Sequence, residues 1–405
     1  MNICVIGLGY VGLPLVIQAA KVGFKTYGYD IDKRKVSNLI KGESLLSKND
    51  QINISELKSK GMLEFISRLD NDLDIDIYVI AVPTPLNSDG EPDLSMLKNA
   101  CETIAATIQP NSLVINESTS FIGTLRNYIK PLVEGKSAST GIKFGVAPER
   151  IDPGNLSWTL NNTPRVISGL SEDAINETLN FYQRFCNEVH PVESPEIAEA
   201  AKLIENSFRQ VNIALVNELT ALASKLNFSV HDALAAASTK PFGFMPFYPS
   251  IGVGGHCIPV DPAYLSYSAK RVGTETRLID ISNSINLSMP ETITKRIVEW
   301  FGKNIQNKLI QVAGISYKKD IPDMREAPAI ELIRLLRLSG AKVTWCDPVV
   351  GNFGSEHSIP LSKNIDLGLV VTPHSCIDFT IWKTYGVKVL DLSANSNNYG
   401  WSKFL

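Results

Sequence analysis

Two periodicities alternate along the N-terminal half of the chain. Short apolar runs of strand length end in turn residues and give way to apolar positions spaced three and four apart. Asn2-Ile3-Cys4-Val5-Ile6 is the first run and Thr26-Tyr27-Gly28-Tyr29 the next. Asp76–Val82, Ser112–Asn116 and Lys143–Ala147 read the same way. Continuous rather than alternating apolar runs predict strands covered on both faces, as in a parallel sheet. The last third repeats the plan, with strands at Lys308–Ala313, Lys342–Cys346, Leu367–Val371 and Val387–Asp391 and a helix around Ala329–Ser339. Between the halves, Ser194-Pro195-Glu196 opens a long helix: Ser suits the N-cap, Pro the first turn, and Glu the positive end of the dipole. Ile197, Ala201, Ile204, Phe208, Val211, Leu215, Leu219, Leu222 and Leu226 then form one continuous stripe. At about 1.5 Å per residue such a helix spans roughly 45 Å, more than one domain needs. It is expected to link two domains and to offer a dimer interface.

The first apolar run meets Gly7-Leu8-Gly9-Tyr10-Val11-Gly12 and then a helical pattern. In a Gly-x-Gly-x-x-Gly turn, Gly7 makes the tight turn, Gly9 lets a pyrophosphate reach the backbone, and Gly12 lets helix and strand pack closely. The helix start offers unbonded N–H groups and a positive dipole end to phosphate. The next strand ends in Asp30, which suits the ribose hydroxyls of NAD and would repel the 2′-phosphate of NADP; Lys35, close behind, would blur that preference. The expected fold is therefore α/β: two Rossmann-like doubly wound parallel-sheet domains, residues 1–193 and 301–405, joined by a long central helix and helical middle region, residues 194–300. The second sheet lacks the glycine turn and is expected to hold a different ligand.

Composition narrows the class. The chain has 405 residues, 44% of them hydrophobic, with 39 basic and 42 acidic side chains and a net charge of −3. That balance argues against nucleic-acid or membrane-surface binding. No apolar run reaches transmembrane length, and Met1 leads directly into the first strand, so a cytoplasmic location is expected. Cys4, Cys101, Cys186, Cys257, Cys346 and Cys376 are scattered with no Cys-x-x-Cys pair, which predicts reduced thiols and neither a disulfide frame nor a bound metal.

One of these cysteines stands apart. Gly252-Val253-Gly254-Gly255-His256-Cys257 places a thiol among glycines, with Asp261 four residues on. Glycines let backbone approach a ligand closely, and a nearby carboxylate can handle water or a proton. The ordinary alternative is a buried cysteine in a tight turn. Thr119 and Glu149 follow apolar runs, where open α/β sheets bind ligands. Lys202 and Asn206 share a helix face with Arg209 one turn on, a pattern that equally describes a solvated polar face.

Taken together, these motifs resemble the UDP-glucose/GDP-mannose dehydrogenases along the whole chain. The resemblance rests on Gly7–Gly12, Val82-Pro83-Thr84-Pro85, Thr119, Pro148-Glu149-Arg150, Glu199-Ala200-Ala201-Lys202 with Asn206, Gly254-Gly255-His256-Cys257 with Asp261, and Gly314–Arg325. It implies NAD-dependent oxidation of a nucleotide-sugar C6 alcohol to a carboxylate. That is a four-electron change: one hydride leaves an aldehyde, a thiolate captures it as a thiohemiacetal, a second hydride leaves a thioester, and water releases the acid. The resemblance assigns the thiolate to Cys257, oxyanion stabilisation to Lys202, positioning to Asn206, proton transfer to Asp261 with Thr119, and activation of water to Glu149. The division of proton-transfer roles among Asp261, Glu149 and Lys202 stays open. The resemblance also implies that Gly7, Gly9, Tyr10, Val11, Gly12, Asp30, Lys35, Val82, Pro83, Thr84, Thr119 and Arg325 line the cofactor. Glu149, Arg150, Lys202, Asn206, Arg209, Lys240, Phe247, Tyr248, Gly254 and Lys318 are implied to line the UDP-sugar, although Arg150 and Arg209 suit structural ion pairs equally well. His256 is read as positioning backbone or facing solvent.

Val253–Pro259 resembles the branch acting on UDP-N-acetylhexosamines, and Lys240–Pro249 the UDP-N-acetylglucosamine enzymes, which supply surface-polysaccharide and lipopolysaccharide synthesis. Ser250-Ile251 departs from the Gly-Pro usual there. UDP-N-acetylglucosamine is thus the expected substrate, with UDP-N-acetylmannosamine, UDP-N-acetylgalactosamine and UDP-glucose as alternatives, and a homodimer or higher oligomer is expected. A two-electron hydroxyacid dehydrogenase would leave Cys257 without a task. A non-catalytic NADH sensor or DNA-binding regulator would need a basic domain that the charge balance lacks.

Overall fold

A computed structural model describes residues 1–43, 48–70, 72–151, 155, 157–255, 257–394, 401 and 404, and divides into two compact units. The first comprises Met1–Ile204 with Ala263–Gly273, the second Glu205–Pro262 with Thr274–Leu405.

The first unit is built on eight strands: β1 (Asn2–Ile6), β2 (Lys25–Tyr29), β3 (Leu63–Ile66), β4 (Ile77–Ile80), β5 (Leu113–Asn116), β6 (Lys143–Val146), β7 (Arg165–Gly169) and β8 (Val189–Pro191). They lie in the order β3-β2-β1-β4-β5-β6-β7-β8. Neighbours run parallel except β6 and β7, which are antiparallel. Side chains of β1 alternate between two cores, Ile3 and Val5 on one face and Cys4 and Ile6 on the other. Both faces are thus covered, which is why the strand reads as an unbroken apolar run. Strand order reverses between β1 and β4, so the crevice for a ligand opens past their carboxyl ends.

In the second unit β9 (Leu309–Ala313), β10 (Lys342–Cys346), β13 (Leu367–Val370) and β14 (Val389–Asp391) form a parallel sheet in the order β10-β9-β13-β14. A hairpin of β11 (Asn352–Phe353) and β12 (Glu356–His357) stands apart from it. Helices Pro328–Leu338 and Arg277–Trp300 supply much of the core, through Leu332, Ile333 and Leu336 and through Met289, Ile293 and Ile297.

The long helix runs from Pro195 to Leu226, 32 residues, and the division between units falls within it. It buries Ala198, Leu203, Ala214, Val216 and Ala223, yet most of its larger apolar side chains stay outside the core. Ile197, Ile204, Phe208, Leu215, Leu222 and Leu226 are exposed, whereas Glu199, Lys202, Ser207, Gln210, Asn217 and Thr220 are buried. In the second unit some of the buried polar groups are matched to one another: Asn217 Nδ2 donates to Asn286 Oδ1 at 3.0 Å, and Asn286 Nδ2 donates to the Gln210 carbonyl at 3.1 Å. The apolar stripe is therefore not core of this chain, and Lys202 does not sit on a solvated face.

Candidate active site

In the first unit the turn after β1 has the geometry its glycines require. Gly7 has φ +98°, and a Cβ there would lie 2.6 Å from the Ala81 carbonyl oxygen at the end of β4. A Cβ on Gly12, the first residue of the helix Gly12–Lys21, would lie 1.8 Å from the Gly7 carbonyl oxygen. At Gly9 nothing lies within 4 Å of that position, so the helix start faces open space. Val11 at the N-cap has no side chain able to accept the first-turn N–H groups, which leaves them to an anion. Asp30, at the tip of β2, accepts the N–H of Leu8 at 2.9 Å and of Asp32 at 3.0 Å, and Lys35 Nζ donates to it at 2.7 Å. The Asp30 carboxylate is thus held in place and partly neutralised. Val82–Thr84 are fixed through their carbonyls: Ser118 Oγ donates to Val82 at 2.8 Å and the Tyr264 hydroxyl to Thr84 at 3.1 Å. This turn, open at its middle glycine and closed by a carboxylate, fits a dinucleotide.

A second cluster lies at the ends of β5 and β6. Lys202, only 8% exposed, donates to Thr119 Oγ1 at 2.6 Å. One turn earlier Glu199 accepts the N–H groups of Gly123 at 2.5 Å and Leu125 at 2.9 Å, tying the helix to the segment after Thr119. Glu149 Oε1 accepts the N–H of Arg150 at 2.8 Å and of Ile151 at 2.6 Å, and Oε2 accepts from Arg165 Nη2 at 2.6 Å. Burial raises the Glu149 carboxyl, but the Arg165 charge and these donors outweigh it and leave the group below the usual range. Arg165 Nη1 also donates to Glu117 Oε1 at 2.8 Å, and the Tyr182 hydroxyl donates to the same oxygen. Arg165, Glu117 and Tyr182 had no sequence signal beyond a polar residue in an apolar run. Arg150 turns its guanidinium to the Pro164 carbonyl at 3.0 Å.

In the second unit Cys257 ends the glycine segment, and its carbonyl accepts the N–H of Asp261, the first residue of the helix Asp261–Arg271, at 2.9 Å. Cys257 and Cys376 are exposed; Cys4, Cys101, Cys186 and Cys346 are buried, and burial pushes their thiols up. Asp261 is buried, and Asn206 Nδ2 donates to its Oδ2 at 2.6 Å. The glycines make room chiefly for protein. A Cβ on Gly254 would come within 2.7 Å of Tyr317 Cβ and 2.9 Å of the Glu326 carbonyl oxygen, and one on Gly255 within 2.7 Å of the Tyr317 ring. The Gly255 N–H donates to the Arg325 carbonyl at 2.9 Å. The Arg325 guanidinium lies on Asp323 at 2.6 Å, and Lys318, half-buried, belongs to the same segment. His256 lies outside the described residues.

The remaining positions named from the sequence fall around this unit. Phe247 packs on Phe208 with ring centroids 5.8 Å apart, Tyr248 stacks on His231 at 5.9 Å, and Lys240 Nζ lies 4.9 Å from the Phe242 ring. Arg209 is exposed. At the unusual Ser250-Ile251 pair, the Ser250 N–H donates to Asn217 Oδ1 at 2.8 Å and Ile251 joins the core.

Among the described residues no helix is long and apolar enough to cross a membrane. Three family models match the chain in sequence: the UDP-glucose/GDP-mannose dehydrogenase family NAD binding domain over residues 1–186, its central domain over 196–288 and its UDP binding domain over 311–393. A UDP-N-acetyl-D-mannosamine dehydrogenase of Pyrococcus horikoshii is 34% identical over 393 residues, covering 95% of this chain and 92% of its own. A UDP-N-acetyl-D-glucosamine 6-dehydrogenase of Salmonella typhi is 32% identical over 357 residues, covering 86% and 83%. The solved structure of a UDP-D-ManNAc dehydrogenase from Pyrococcus horikoshii superposes with a TM-score of 0.88 at 31% identity, covering 100% of this chain and 97% of that one.

Proposed function

The chain belongs to the UDP-glucose/GDP-mannose dehydrogenase family, and from that premise we propose that it oxidises the C6 alcohol of a UDP-N-acetylhexosamine to the uronic acid. It is an NAD-dependent nucleotide-sugar dehydrogenase. The observation that carries the fuller reading is Cys257, an exposed thiol within the Gly254–Pro259 motif.

NAD⁺, when bound, accepts a hydride in each of the two oxidations. The residues of the chain do the rest. Gly7, Gly9 and Gly12 bring backbone to the pyrophosphate, and Asp30 takes the adenosine ribose hydroxyls. Lys202 stabilises negative charge as it develops on the C6 oxygen, held by its contact with Thr119. The Cys257 thiolate adds to the aldehyde carbon, giving a thiohemiacetal, and after the second hydride departs the acid is attached as a thioester. Asp261, oriented by Asn206, exchanges protons through water. Glu149, held ionised, orients the water that releases the product. Lys318, Tyr248 and Phe247 hold the nucleotide sugar. The exposed apolar stripe Ile197–Leu226 supports a homodimer built on the long helix.

Two epimers have separate support. The Lys240–Pro249 segment favours UDP-N-acetylglucosamine, as does the likeness to the Salmonella typhi enzyme. The Pyrococcus horikoshii relative, similar over more of the chain, favours UDP-N-acetylmannosamine. The test is kcat/KM for UDP-N-acetylglucosamine, UDP-N-acetylmannosamine, UDP-N-acetylgalactosamine and UDP-glucose, with NADH counted against acid formed. Two NADH per acid and an N-acetylated preference are expected. A preference for UDP-glucose, or one NADH per turnover, would overturn the reading.

A further inference from the structure

Glu117 and Glu149 share one guanidinium, and the three side chains are 1%, 8% and, for Arg165, 4% exposed. Two buried carboxylates contact a single cation, while Lys202, bonded to Thr119, acts on them only from further off; such a pair is costly unless a proton enters. The hydrogen bonds say which carboxylate keeps its charge. Among the described residues Glu149 receives three donors, two from backbone and one from Arg165. A carboxylate has about four acceptor positions, so one position on Oε2 remains. Glu117 receives Arg165 Nη1 and the Tyr182 hydroxyl on Oε1, while its Oε2 is buried with no partner among the described residues.

We propose that Arg165, Glu117 and Tyr182 form a positioning set behind Glu149: Glu117 carries the proton, and Arg165 thereby keeps Glu149 ionised with a single acceptor position left for water. This rests on the reading of Glu149 as the group that orients the hydrolytic water. In that step water oxygen bonds to the thioester carbon, the C–S bond breaks with its electron pair staying on sulfur, and the products are the carboxylate, the Cys257 thiol and one proton. The charged and titratable groups bearing on Glu149 are Arg165 on β7, Glu117 after β5, Lys202 on the long helix and Cys186 beyond the helix Glu172–Tyr182, with Tyr182 acting on Glu117 and Arg165. Burial pushes Glu117 up, against the pull of Arg165, consistent with its holding the proton.

The test is the decay of the Cys257 thioester, followed by intact-protein mass spectrometry in single turnovers across pH. Arg165→Gln removes the cation, so Glu149 takes up a proton more readily. Decay is expected to slow by roughly tenfold or more near neutral pH and to recover as pH rises. Glu117→Gln mimics the protonated group and is expected to decay at near the wild-type rate. Equal loss in Arg165→Gln at every pH, or an Arg165→Gln profile matching wild type, would overturn the proposal, as would a severe loss of decay in Glu117→Gln. If Arg165→Gln does not fold, Arg165→Lys, which keeps the charge but loses the two-pronged fork, must show an acid limb displaced in the same direction by less, and an undisplaced limb there would overturn the proposal. Glu149→Gln separates the two levels: normal decay there removes Glu149 from hydrolysis, whereas slow decay there with unaltered Arg165 variants removes only the positioning set.

Discussion

Glu199 should make the first unit less stable as pH rises through the mildly acidic range. Its carboxyl is 2% exposed and is clasped by the N–H groups of Gly123 and Leu125. Burial pushes it from 4.5 up to about 7, against the pull of those donors. Below pH 4.5 the carboxyl is protonated in both states and adds no pH dependence. Between 4.5 and 7 the unfolded chain ionises while the folded one holds its proton, so folding stability falls as pH rises; above 7 the loss is complete. At 1.36 kcal/mol per unit, that loss is at most about 3 kcal/mol, or roughly 6–12 °C for a unit of this size. Glu199→Gln removes the titration. Its amide keeps one acceptor and turns an NH₂ toward the other backbone donor, costing about 1–3 kcal/mol relative to the protonated carboxyl. Thermal scans of both proteins from pH 4.5 to 8 should therefore show the wild-type advantage shrinking toward pH 7 and then holding level. A constant difference across the range would refute the reasoning, because every other titrating group is common to both.

Other expectations concern chemistry and assembly. Cys257→Ala should abolish acid formation while leaving NAD⁺ binding near normal, and Cys257→Ser should accumulate an ester adduct visible by intact mass; an active alanine variant would end the covalent reading. Gly12→Ala places a Cβ 1.8 Å from a carbonyl oxygen and should eliminate measurable NAD⁺ binding by calorimetry, so an unchanged Kd would contradict the turn geometry. Asp30 should favour NAD⁺ over NADP⁺ in kcat/KM by at least about tenfold, roughly 1.4 kcal/mol, and Lys35→Ala should widen the ratio; equal use of both cofactors would remove Asp30 from the ribose. Leu215→Glu combined with Leu222→Glu should give a smaller particle by light scattering, and an unchanged particle would show that the stripe is not an interface.

The regular parts of the fold were legible because strands buried on both faces leave unbroken apolar runs. β10 matches the sequence reading, and β5, β6, β9 and the long helix begin or end within a residue or so of it. β7 and β8 escaped because Arg165 and His190-Pro191 interrupt their apolar character, and the β6–β7 reversal leaves no local mark. Lys202 was legible as a motif residue but not as a buried one. Helical periodicity reports which residues share a face, not which face is covered, and here most of the stripe of large apolar residues is uncovered. The Arg165 cluster was illegible for a different reason: its members come from elements far apart in the chain, and one charge in an apolar run has no visible partner until the sheet is assembled.

Gly254 and Gly255 bear on how such an enzyme could change its specificity. Because neither has a side chain, the loop that ends in the thiol rests directly on Tyr317 and the backbone near Glu326, and Gly255 bonds to Arg325. The stretch from Tyr317 to Pro328, which carries Lys318, is thus the floor beneath Cys257. On the proposed reaction, a substitution that reshapes this floor to welcome a different sugar would also tilt the sulfur, so preference and turnover would be inherited together rather than adjusted one at a time. Variants selected for a new epimer would then need their second compensating change on the opposite side of this contact.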